Sequence, residues 1–134
     1  MIQVHPTQSL AYVQGLSCLT DGPNEMMSVP VPCLIPLHAG RLPRQIPFFE
    51  SIIGYGTIHE CTVIETDGSG KPHSFLIVFR IRRSKRNINT NLLGIFGARR
   101  FPIDVLVMKL GVAGNLINLR GAHQRDLARN AVRR

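Results

Sequence analysis

Two strand-like runs on either side of a turn cluster constrain this chain most. Residues 57–66 (TIHECTVIET) are rich in β-branched side chains, and residues 73–82 (HSFLIVFRIR) mix β-branched with aromatic ones. Between them stands Asp67-Gly68-Ser69-Gly70-Lys71-Pro72, a run of turn-forming residues. The pattern predicts an antiparallel hairpin. Its loop length leaves the register open, and a one-residue slip would turn every side chain to the other face. If Thr66 pairs with Pro72, Glu65 faces His73 and Glu60 lies diagonal to Arg80. Strand alternation puts Arg80 and Arg82 on one face and Phe79 and Ile81 on the other.

The rest of the chain is read around this hairpin. Residues 103–110 (IDVLVMKL) predict a strand, Gly111-Val112-Ala113-Gly114 a turn, and residues 115–120 (NLINLR) alternate at period two, which together suggest a second hairpin. Gly121 breaks that pattern. Residues 123–134 then read as a helix, with Leu127, Ala128, Ala131 and Val132 as its apolar face and Arg125, Arg129 and Arg133 on another. Residues 48–53 suit a short helical turn, residues 92–96 a short strand, and residues 10–19 a strand or short helix. Residues 22–47 hold six prolines, each of which removes a backbone donor and fixes φ. That stretch is expected to be neither a central strand nor a helix interior, but an extended segment packed on the surface or a linker.

A length of 134 residues fits one domain. The expected fold class is α+β: two antiparallel β-hairpins forming a small sheet with a C-terminal helix, preceded by a Pro-rich extended segment. Residues 1–47 are expected to be an arm, and residues 48–134 a basic body.

Charge divides the chain. Residues 1–78 carry three basic against six acidic side chains, a net of −3, while residues 79–134 carry thirteen basic against two acidic, a net of +11. A half this positive repels itself, so an anionic partner or a broad solvated face is implied. The run Arg80-Ile81-Arg82-Arg83-Ser84-Lys85-Arg86 places five cations in seven residues. Guanidinium forks bind phosphate oxygens bidentately, and counterion release drives such association. Arg80, Arg82, Arg83, Lys85, Arg86, Arg99, Arg100, Arg125 and Arg129 are therefore the expected binding residues. They would meet nucleic acid (RNA or DNA) through phosphate contacts of low sequence specificity, if folding joins them into one surface. The same run resembles a nuclear localisation signal.

Other readings stay open. The basic face could meet an acidic protein, with the Pro-rich segment and the strand carrying Val105 and Val107 building a shared sheet or a homo-oligomer. A metal-free ribonuclease would need His59, Glu60, Glu65 and His73 beside an arginine. Asp67-Gly68-Ser69-Gly70-Lys71 lacks the full phosphate-loop pattern, because Pro72 stands where Ser or Thr should be. No G-x-S-x-G occurs, and the five histidines show no metal-ligand spacing, so no catalytic residue, metal ligand or cofactor is assigned. Cys18, Cys33 and Cys61 form no C-x-x-C, and the first twenty residues carry no Lys or Arg. Reduced thiols and an intracellular location, cytoplasmic or nuclear, are expected. The longest apolar run, residues 75–79, is far short of the ~20 residues of a membrane span.

The stretch Gly40-Arg41-Leu42-Pro43-Arg44-Gln45-Ile46-Pro47-Phe48-Phe49 resembles small uncharacterised fungal proteins of basidiomycete type. So does the tail with Asp104-Val105-Leu106-Val107-Met108-Lys109, Asn118-Leu119-Arg120-Gly121, Asp126-Leu127-Ala128 and Arg133-Arg134. The resemblance covers about the last two thirds of the chain and implies no activity, ligand or catalytic residue.

Overall fold

Thr66 does pair with Pro72, and Glu65 with His73, in the computed structural model, which describes residues 8–19, 26–37, 45–54, 56–81, 103–112 and 114–132. In chain order the elements are β1 (Gln8–Cys18), β2 (Met27–Pro36), β3 (Ile46–Pro47), α1 (Glu50–Ile53), β4 (Ile58–Thr66), β5 (Pro72–Ile81), β6 (Ile103–Leu110), β7 (Leu116–Ile117) and α2 (Gly121–Val132). The molecule is mostly one antiparallel sheet with a C-terminal helix. The strands run β3-β2-β1-β6-β5-β4, and β7 also pairs with β6. The small sheet of two hairpins expected from sequence is therefore a seven-stranded sheet among the described residues. Residues 92–96 lie outside them.

β6 is the central strand. Val105, Leu106, Val107 and Met108 are all buried, so the strand is covered on both faces, as an unbroken apolar run requires. This overturns the idea that the Val105/Val107 strand offers an edge for a partner: β5 pairs along one side of β6, and β1 and β7 share the other. On one face Leu16, Phe75, Ile77, Val105 and Val107 pack beneath Leu127, Ala128 and Ala131 of α2. On the other, Val78, Leu106 and Met108 meet Val13, Val31, Cys33 and Ile53. Each large side chain buried this completely contributes about 1.5–3 kcal/mol.

β1 and β2, which fall within the expected arm of residues 1–47, are strands of the same sheet as β4, β5 and β6. β1 joins the sheet through Leu16↔Val107, Ser17↔Leu106 and Cys18↔Val105. Gly15 permits this approach, since a Cβ there would stand 2.8 Å from the Val107 carbonyl oxygen. β2 corrects the proline argument as well. It pairs with β1 over ten residues despite Pro30, Pro32 and Pro36. In an antiparallel ladder the N–H and C=O of one residue point to the same side. The Phe48 N–H donates to the Pro32 carbonyl at 2.9 Å, so Pro32 faces away from β1. Pro30 and Pro36 share its parity. Every missing donor thus falls on the outer side of β2, where β3 pairs only at Cys33 and Leu34.

Candidate functional site

The β4–β5 hairpin holds polar side chains at both of its ends, about 23 Å apart from His73 to Arg80 at strand rise. At the far end Arg80 Nη2 lies 3.4 Å from Asp104 Oδ2, with the aspartate side chain 1% exposed and the arginine 19%. The two residues are direct neighbours across β5 and β6. The guanidinium packs on the backbone of Gly54 and Gly56. Gly54 has φ +80°, and a Cβ there would stand 3.1 Å from Arg80 Nη1. The pair joins β5 to β6 and to the backbone of Gly54 and Gly56, and so acts as a structural clasp.

Arg80 shares a face with Val78, Leu106 and Met108, whereas α2 packs on the opposite face through Leu127, Ala128 and Ala131. Arg125 and Arg129, on α2, are therefore separated from Arg80 by the sheet. Arg125 Nη2 donates to Ser28 Oγ at 2.9 Å, tying the helix to β2, and Arg129 Nη1 lies 3.5 Å from Asp126 Oδ1. The continuous surface expected from strand and helix arginines is not assembled by these three. Arg82, Arg83, Lys85, Arg86, Arg99 and Arg100 lie outside the described residues. His59 and His73 are not brought together either. His59 stacks on Phe79 at 5.4 Å, six strand positions from Glu65 and its partner His73, about 20 Å at strand rise. Glu60 lies diagonal to Arg80, on the face opposite Glu65 and His59.

The turn end is different in kind. Asp67 Oδ1 accepts from the Ser69 and Lys71 backbone N–H groups at 2.9 Å each and from Ser69 Oγ at 2.7 Å. Its other oxygen meets His73 Nε2 at 2.8 Å. The His73 contact first, then the Ser69 hydroxyl and the Lys71 N–H, hold the Asp67 carboxyl well below the usual carboxylate range. His123, exposed near the start of α2, turns its ring edge-on to His73, with centroids 6.3 Å apart. One ligand-type atom from each of Asp67, His73 and His123 lies within 4.8 Å of the others.

Beside this cluster a cleft of about 480 Å³ is lined by Lys71, His73, Lys109 and Gln124 together with apolar residues. Lys109 is 7% exposed, and its ammonium sits 5.1 Å from the centre of the Phe75 ring. Burial, with the nearby Lys71 charge, lowers its pKa.

The sequence contains the turn half of this cluster: Asp67 and His73 flank a legible hairpin turn. It contains no signal for His123, fifty residues on, which arrives by docking of α2. No three-ligand cluster can be read from the sequence; folding is what brings these three side chains together. Of the thiols, Cys18 and Cys33 are buried and Cys61 is exposed; burial pushes Cys33 up to about 11. Among the described residues no helix is long and apolar enough to cross a membrane.

No family model matches the chain, and neither a curated protein nor a solved structure does.

Proposed function

We propose that this chain is a non-enzymatic polyanion-binding protein. Its partner is nucleic acid, held through phosphate contacts of low sequence specificity. Its binding element is the connection between β5 and β6, with Arg82, Arg83, Lys85, Arg86, Arg99 and Arg100. One observation carries the reading. The described residues hold six Lys or Arg and six Asp or Glu, so the sheet and helix are electrically neutral, and the chain's whole net charge of +8 belongs to other residues. Six of those cations fall in residues 82–102, which contain no acidic side chain. Antiparallel neighbours can be joined by two to five residues. Here the stretch between the paired Ile81 and Ile103 is 21 residues long. A one-signed stretch of that length is suited to phosphate contact. Arg80, paired with Asp104, and Arg125 and Arg129 on α2 fall outside this narrower element.

Binding of labelled duplex and single-stranded oligonucleotides across a salt series tests the reading. The logarithm of affinity should fall linearly with the logarithm of salt. Replacing Arg82, Arg83, Lys85 and Arg86 by Gln should reduce the slope by about 1 for each phosphate no longer neutralised, whereas replacing Arg125 and Arg129 should leave it almost unchanged. Absence of binding at low salt, or a salt-independent affinity, would end the proposal. Sedimentation of the same protein addresses a second reading, a homo-oligomer or protein contact. That reading is favoured by exposed apolar side chains on β1 and β3, Leu10, Tyr12 and Ile46, on either side of the buried Leu34. A stable dimer with weak oligonucleotide binding would favour it.

A further inference from the structure

We propose that Asp67, His73 and His123 form a binding site for a divalent transition-metal ion, and that zinc is the ion this ligand set suits. The inference is independent of the polyanion reading. Two imidazoles and one carboxylate are ligands for zinc and its first-row neighbours, and a set of three leaves one position for water.

The three ligands come from three separate elements, the hairpin turn, β5 and α2, yet their ligand-type atoms lie within 4.8 Å of one another. Zinc takes such atoms at about 2.0–2.2 Å, which sets tetrahedral ligand atoms about 3.4 Å apart. The cluster therefore has to close by about 1.4 Å at most. His123 can supply that movement, because its side chain is exposed on the helix surface. The Asp67–His73 pair is already in place at 2.8 Å. Binding an ion would replace this hydrogen bond by two metal bonds. Asp67 is also oriented in advance. Ser69 and Lys71 occupy its Oδ1, which turns Oδ2 towards the histidines. Ordering the groups that orient a ligand is what makes a site hold its metal.

Two features oppose the ion: the positive charges of Lys71 and Lys109, which line the neighbouring cleft, and the positive end of the α2 dipole. They place this site below a closed cysteine-rich site in affinity. Once bound, the ion would clasp α2 to the β4–β5 hairpin through His123.

The test is a zinc titration of the full chain at neutral pH, in competition with a chromophoric chelator, repeated with cobalt to read ligand geometry from its visible absorption. One equivalent should bind. His123→Ala, at an exposed position where folding is little disturbed, should weaken binding on the order of 100-fold. Asp67→Asn should weaken it similarly, while His59→Ala and Cys61→Ser should leave it unchanged. Zinc should also raise the melting temperature of the unaltered chain and not that of the His123→Ala variant. Failure of the unaltered chain to bind zinc at submillimolar concentration overturns the proposal. So does full affinity in either ligand variant, or loss of binding in Cys61→Ser.

Discussion

The two ends of the β4–β5 hairpin each bring an aspartate to a basic side chain, and the two arrangements do opposite things. At the Ile81 end Asp104 is 1% exposed, and Arg80, 19% exposed, is wedged against a glycine backbone. At the turn end Asp67 and His73 are 12% and 11% exposed, a third polar side chain stands at the rim, and a cleft lies alongside. A pair whose carboxylate is buried as fully as that of Asp104 serves the fold, and removing either partner is costly. A pair with a free rim and a convergent third ligand has room for something else. The comparison also shows that membership of a basic run does not by itself place a cation in a shared site. Arg80 belongs to the densest basic run in the chain, yet its cross-strand carboxylate takes it out of that run's shared chemistry.

The sharpest way to break this contrast is to remove one aspartate at a time. Asp104→Ala leaves the Arg80 guanidinium in place with its carboxylate removed, and is expected to cost about 3–5 kcal/mol in urea denaturation. Asp67→Ala, measured in the same way, should cost far less. Equal losses would show that both ends are structural clasps. A smaller effect comes from the glycines. Gly54→Ala puts a Cβ 3.1 Å from Arg80 Nη1 at φ +80°. It should cost about 1–3 kcal/mol. Gly68→Ala at the turn end, where nothing lies within 4 Å of the added carbon, should be nearly silent.

The smallest expected effect is a pH dependence that sharpens the role of the turn. The folded-state pKa of Asp67 lies below its ordinary 3.8, chiefly because of His73. The unfolded chain therefore takes up a proton first as pH falls. The stability from this carboxylate is present above its ordinary pKa and is lost progressively below about pH 5. Asp67→Asn should flatten that part of the acid limb in urea titrations at successive pH values. An unchanged limb would mean that the turn contacts contribute nothing to it.

How much could be read in advance varies with the reach of each interaction. The β4–β5 hairpin was legible because its signals are local: β-branched runs on either side of a turn. The faces of Arg80 and Phe79 followed from alternation alone. The proline-rich β2 was misread because the rule counted missing donors and not the side on which they fall. Pro30, Pro32 and Pro36 share one parity, so a full ladder with β1 survives on the other side. Asp104 as the partner of Arg80, and His123 as the third member of the turn cluster, left no local trace. Each is contributed by an element that reaches the hairpin through tertiary pairing or docking.

By itself, the order of residues determined where β4, β5, β6 and the terminal helix form, which of their side chains share a face, and that the positive charge is concentrated in the C-terminal half. The tertiary structure alone decided which face lies under α2, which carboxylate meets which cation, and that the folded sheet and helix carry no net charge. The physical reason is range. Backbone preference and side-chain alternation act within a few residues, whereas burial and charge pairing depend on neighbours that only the packed sheet brings within a few ångströms.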